Sequence, residues 1–104
     1  MQNRPYPRYA FRCEAQFCPH GTIANMSGTL SDISLSGCYL ETLSPLPIGT
    51  QLDVTFTSNG IAVAIPGIVR VVHPNMGMGV QFSDLSGERG KALEQIIQAQ
   101  NHAN

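Results

Sequence analysis

From Ala10 onward the chain alternates apolar and polar residues with period two, the pattern of strands that bury one face. Phe11, Cys13, Ala15 and Phe17 fall on one side and Arg12, Glu14, Gln16 and Cys18 on the other, before the turn residues Pro19-His20-Gly21. A second strand is predicted over 26–34, and a third opens at Gly37, runs to Leu43 and is closed by the proline-containing stretch 44–49. Residues 51–57 alternate cleanly and meet Asn59-Gly60, a pair that accepts φ > 0 at both positions of a tight hairpin turn. The returning strand, 61–72, contains Pro66-Gly67, where a bend or bulge is expected. His73-Pro74-Asn75 makes the next turn, and Met76-Gly77-Met78-Gly79-Val80-Gln81-Phe82 predicts a short strand where backbones crowd. The period then changes. Arg89, Leu93, Ile96, Ile97 and Gln100 recur at three- and four-residue spacings, predicting a helix over 86–101 with Ser86 as its N-cap. Six strands followed by one helix with a single apolar stripe imply a mostly β fold, an antiparallel barrel over 10–85 whose open side is partly covered by the helix. Residues 1–9 hold two prolines and no periodic pattern, so they are expected to form a flexible N-terminal arm outside the core.

Length and composition narrow this picture without changing it. A chain of 104 residues with 42% apolar content has room for one domain, 1–104, with a modest core. No run approaches the ~20 apolar residues of a membrane span, and the start Met1-Gln2-Asn3-Arg4-Pro5 lacks the apolar stretch of a signal peptide. Together with an odd number of irregularly spaced cysteines, Cys13, Cys18 and Cys38, this points to the cytoplasm and away from membrane insertion. Charge is unevenly placed. Arg4, Arg8 and Arg12 give residues 1–13 a charge of +3 on a body of opposite sign, which suits a small anionic partner better than duplex nucleic acid.

Several chemistries are excluded. His20, His73 and His102 fall in predicted turns or the tail, with no nucleophile elbow or cysteine motif nearby, so no catalytic residues are assigned and the chain is not read as an enzyme. A zinc site from Cys13, Cys18, His20 and Cys38 has suitable ligand types, but the spacing matches no common zinc pair and Cys13 and Cys18 point to opposite faces of one strand; no metal or cofactor is expected. Met76-Gly77-Met78-Gly79 is not followed by a helix, so it is no phosphate cradle. What remains is Arg8 and Arg12, four apart, together with Asp32-Ile33-Ser34-Leu35-Ser36-Gly37. Guanidinium forks match both a phosphate and the O6/N7 edge of guanine, and Asp32 can accept from guanine N–H groups. A ligand built of guanines and phosphates would use all of them. The plainer reading of the hexapeptide is a turn whose Asp and Ser oxygens serve local backbone N–H groups.

These motifs resemble the PilZ family of bacterial cyclic di-GMP receptors. Arg8-Tyr9-Ala10-Phe11-Arg12 is similar to that family's Arg-x-x-x-Arg motif, and Asp32-Ile33-Ser34-Leu35-Ser36-Gly37 to its Asp/Asn-x-Ser-x-x-Gly motif. Gly67-Ile68-Val69-Arg70-Val71-Val72 and Gly77-Met78-Gly79-Val80-Gln81-Phe82 are similar to its closing strands. The resemblance implies a six-stranded PilZ-type barrel with the arginines on an arm that folds over the ligand. It implies that Arg8 and Arg12 grip guanine and phosphate, that Asp32 and Ser34 contact a guanine, and that Gly37 permits close approach, with Arg4, Ser36 and Gly79 completing the candidate set. The function implied is a stand-alone cyclic di-GMP receptor or adaptor that signals to an effector protein by changing its surface. The rivals are a PilZ-like adaptor that binds no nucleotide and a small barrel for single-stranded nucleic acid.

Overall fold

The computed structural model describes residues 9–101, with side chains through Gln100. Six strands follow in order: β1 (Tyr9–Pro19), β2 (Met26–Ile33), β3 (Gly37–Glu41), β4 (Gln51–Ser58), β5 (Ile61–His73) and β6 (Gly77–Phe82), then one helix, α1 (Glu88–Asn101). All strand pairings are antiparallel, and the order β1-β2-β3-β6-β5-β4 closes through β4 onto β1, so no sheet edge is left open.

The period-two reading accounts for the core. On β4, Leu52, Val54 and Phe56 are buried while Gln51, Asp53, Thr55 and Thr57 face water. Phe11, Ala15 and Phe17 from β1, Leu30 and Ile33 from β2, Leu40 from β3, Val63, Ile65 and Val69 from β5 and Met78 and Val80 from β6 point the same way. Burying a side chain of this size contributes about 1.5–3 kcal/mol. Leu93, Ile96 and Ile97 add the stripe of α1, which packs on β5 and β1. Asn59 and Gly60, at φ 52° and 77°, form the tight turn between β4 and β5.

Three local expectations are corrected. β1 begins at Tyr9, which pairs with Ile33, so Tyr9 belongs to the barrel and not to an arm. The irregularity expected at Pro66-Gly67 lies at Arg70 instead, between Val69 and Val71 on β5. Pro66 still pairs in register with Asp53 of β4, and its carbonyl accepts from Ser83 N at 2.9 Å; Gly67 is where β5 passes from β4 to β6, opposite both Leu52 and Phe82. Ser86 is not the N-cap. Helix α1 opens one residue later on the Gly87 carbonyl, while Asp84 Oδ1 accepts from Ser86 N at 2.9 Å and Ser86 Oγ at 2.7 Å and Asp84 Oδ2 from Arg89 at 3.2 Å. Those two donations from Ser86, aided by Arg89, hold the Asp84 carboxyl below its usual range.

Candidate functional site

The hexapeptide forms the end of β2 and a tight connection into β3. Ser34 is fully buried. Its N–H donates to the Gly37 carbonyl at 2.9 Å, and its hydroxyl oxygen accepts from the amides of Ser36 at 3.1 Å and Gly37 at 3.3 Å. The Ser36 hydroxyl lies 3.0 Å from that oxygen, and the Ser36 carbonyl accepts from Phe82 N at 2.9 Å, tying the turn to β6. At Gly37 a Cβ would run into the Val80 carbonyl oxygen, so glycine is demanded by the approach of β3 to β6. The plainer reading therefore describes the Ser34 hydroxyl, which serves the turn; at Gly37 the place of a Cβ is taken up by the Val80 carbonyl.

The outer face of the barrel beside this turn gathers the charged and aromatic groups. Asp32 of β2 pairs in register with Ala10 of β1 and Tyr39 of β3. Between the Ala10–Asp32 and Cys13–Leu30 pairs, β1 carries two residues, Phe11 and Arg12, against the single Ser31 of β2. Such a bulge re-aims side chains. Phe11 stays in the core, and Arg12 reaches across β2 to Glu41 on β3, where its two terminal nitrogens donate to the two carboxylate oxygens at 3.1 and 2.9 Å. The pair lies in solvent, with side chains 66% and 39% exposed. Hydrogen bonding and charge from Glu41 raise the Arg12 pKa, and the Arg12 hydrogen bond, with a smaller one from Ser31, holds the Glu41 carboxyl below its usual range. Tyr39 stands between the two acids; partial burial, then Glu41 and Asp32, push its hydroxyl up.

Farther along the same face, Tyr39 Oη is 2.8 Å from His73 Nδ1, with ring centroids 5.8 Å apart, and Arg70 Nε donates to Gln81 Oε1 at 2.8 Å. Gly79 lies opposite Tyr39. A Cβ at Gly79 would meet only the Val71 side chain, at 3.4 Å, so the barrel itself tolerates more than glycine there. These residues and the 36–37 turn enclose a depression of about 420 Å³. A larger one, about 900 Å³, shares no residue with either motif; its outward-facing lining is short side chains such as Thr55, Thr57, Ala62 and Ala64, with Glu14 as its single charge. Size is thus a poor guide here, and the convergent chemistry lies on the motif face.

Of the predicted site residues, Arg12, Asp32, Ser36 and Gly79 lie around one face, with Ser34 and Gly37 beneath it; Arg4 and Arg8 lie outside the described residues. Tyr39, Glu41, Arg70, His73 and Gln81 were not singled out from the sequence. Tyr39 and Glu41 could have been, as alternate positions after Gly37 on a strand adjoining the motif. Arg70 could not, because the bulge that turns both Arg70 and Val71 outward has no turn residue to announce it. Cys38 is buried and Cys13 and Cys18 are half-buried, with sulfurs near backbone carbonyls. Among the described residues, no three His, Cys, Asp or Glu side chains are grouped to hold a metal ion.

Comparison with known proteins agrees with this fold. A family model described as "PilZ domain" matches residues 2–99. Among solved structures, the PilZ domain of CeSA from a cellulose-synthesizing bacterium superposes with a TM-score of 0.70 at 12% identity, covering 89% of this chain and 97% of that one. The Bacillus subtilis inhibitor of motility, MotI/DgrA, gives 0.73 at 19% identity, with 100% and 55% covered. K. pneumonia MrkH, in a complex with c-di-GMP, gives 0.74 at 20% identity, with 94% and 52% covered. The chain spans about half the length of the last two. No curated protein matches in sequence.

Proposed function

The chain belongs to the PilZ domain family, and from that premise we propose that it is a non-enzymatic cyclic di-GMP receptor or adaptor that presents a ligand-altered surface to an effector protein in the cytoplasm. The observation that carries the reading is the convergence of Arg12, Asp32, Ser36 and Gly79 around one exposed face next to a turn braced by the Ser34 hydroxyl. In this reading the Arg12 fork takes a phosphate or a guanine O6/N7 edge, and Asp32 accepts from guanine N–H groups. Gly79 leaves the floor clear for a flat base, and Arg70, whose Nε donates to Gln81, lines the same depression. Arg8 and Arg4 would close over the ligand from the N-terminal side. Ser34 and Gly37 shape the turn and touch no ligand atom. Among the described residues no helix is long and apolar enough to cross a membrane.

One observation favours a second reading, an adaptor that binds no nucleotide: Glu41 already occupies the fork of Arg12. Calorimetric titration of the full chain with cyclic di-GMP, GMP and a short single-stranded oligonucleotide separates the readings. The receptor gives saturable heat with cyclic di-GMP only. Silence with all three supports the adaptor, and preference for the oligonucleotide overturns both.

A further inference from the structure

The Arg12–Glu41 pair lies inside the face assigned above to the ligand, which raises the question of what it does to binding. A carboxylate offers a guanidinium fork the same two parallel acceptors as a phosphate or a guanine edge. Both terminal nitrogens of Arg12 are already used, one per oxygen of Glu41. That end-on fork cannot serve a second bidentate partner, which leaves a ligand only the Nε edge of the guanidinium unless Glu41 is displaced. We propose that Glu41 is an internal competitor for the ligand, so that cyclic di-GMP binds by exchange at Arg12 and Glu41 sets the concentration at which it does so. The proposal rests on the receptor reading and adds to it an affinity-setting residue outside both sequence motifs.

Three features make an exchange feasible. The pair is exposed, so neither partner must be stripped of water anew when they separate. The two residues come from β1 and β3, which are not neighbours, and they meet across β2 where both of its pairings shift register beside Ser31. No packed element therefore has to move when they part. Glu41 also has somewhere to go: it borders a shallow groove of about 590 Å³ with Ser31, Thr42, Leu43, His73, Asn75 and Met76, and this groove holds no basic side chain that would recapture it besides His73. A dianionic ligand arriving at Arg12 further repels the carboxylate it displaces, which favours completion of the swap.

The test is a double-mutant cycle read by calorimetry on the full chain with cyclic di-GMP, using Glu41→Gln, Arg12→Ala and both together, with unfolding midpoints measured on the same samples. Exposed ion pairs of this kind support a tightening of about 1.5- to 5-fold in Glu41→Gln. In the Arg12→Ala background the same substitution is expected to change affinity less than 1.5-fold, because there is no fork left to release. Equal tightening in both backgrounds would mean general charge repulsion and overturns the exchange. Unchanged affinity in Glu41→Gln, with binding intact in the wild type, overturns it as well. If cyclic di-GMP binds neither the wild type nor Glu41→Gln, the receptor reading itself has failed, and the competitor fails with it. Binding that appears only in Glu41→Gln is the strongest support, since the competitor then masks the site entirely.

Discussion

The 34–37 turn and the Arg12–Glu41 pair lie on the same face of the barrel and are built on opposite terms. In the turn, the N–H and hydroxyl of Ser34 are satisfied within four residues, the serine is fully buried, and Gly37 lies against the Val80 carbonyl. A buried polar cluster that is fully satisfied is rigid, because any displacement orphans a donor in a low-dielectric setting. The arginine pair instead stands in solvent and joins two non-adjacent strands. Its bonds are charge-assisted, yet water replaces them at little cost. The difference assigns two kinds of work to residues that a motif lists together. Ser34 and Gly37 hold the shape of the face; in the receptor reading, Arg12 and Asp32 are the residues that meet the ligand.

The largest expected effect breaks the rigid half. In Gly37→Ala the added carbon has only backbone to push against, since both strands are pinned by neighbours in a closed barrel. Overpacking of this kind costs about 3 kcal/mol. Urea unfolding should show a much lower midpoint with an unchanged slope; a variant as stable as the wild type would mean that the turn has slack and that the contrast is wrong. Ser34→Ala comes next. It removes the acceptor of two amides and should cost about 1–3 kcal/mol by the same measurement. Its affinity for ligand should fall little once the sample is cold enough to be folded, which a direct role for the hydroxyl would contradict.

Arg12→Ala should do the reverse. Loss of a bidentate fork weakens cyclic di-GMP binding about 5- to 150-fold, while the unfolding midpoint stays near that of the wild type because the side chain is exposed. A variant with unchanged affinity would remove Arg12 from the site. A large loss of stability would instead make the pair a structural clamp.

The division between the halves also explains what the sequence made legible. Alternation along β1, β4 and β6, and the helical spacing of Leu93, Ile96 and Ile97, reflect a simple rule, one face buried per element, and that rule was enough for the barrel and its helix. Asn59-Gly60 announced its turn because few other pairs tolerate φ > 0 twice. Bulges have no such signature. The extra residue at Phe11–Arg12 and the shift at Arg70 arise from how two consecutive strands fall into register, which alternation within either strand does not encode, and both re-aim arginines. The candidate site was legible as a pair of motifs but not as roles. Nothing local distinguishes a serine that serves its own turn from one that meets a ligand, and nothing local brings Glu41 to Arg12 from 29 residues away.

The smallest expected effect concerns acid, and it sharpens the exposed half. Glu41 has an ordinary carboxyl value near 4.5 that Arg12 lowers in the folded chain. A group with a depressed folded value contributes stability above its unfolded value and loses that contribution as pH falls through the folded one. The ion pair should therefore be intact at neutral pH and break only below the usual carboxylate range, and because both groups are exposed the effect on global unfolding should be slight. A site-resolved probe is needed. Following the Glu41 side-chain carboxyl carbon by NMR from neutral pH downward should give a midpoint below 4.5 in the free protein. In Arg12→Ala the midpoint should climb back to the ordinary value or above it, because the partial desolvation that remains outweighs the Ser31 hydrogen bond. Saturation of the wild type with cyclic di-GMP should move it in the same upward direction if the ligand takes the fork, since a displaced carboxylate next to phosphates is harder to ionise. Identical midpoints in the wild type and Arg12→Ala would show that the two side chains do not pair in solution, and the contrast between a closed turn and an exchangeable ion pair would lose its second term.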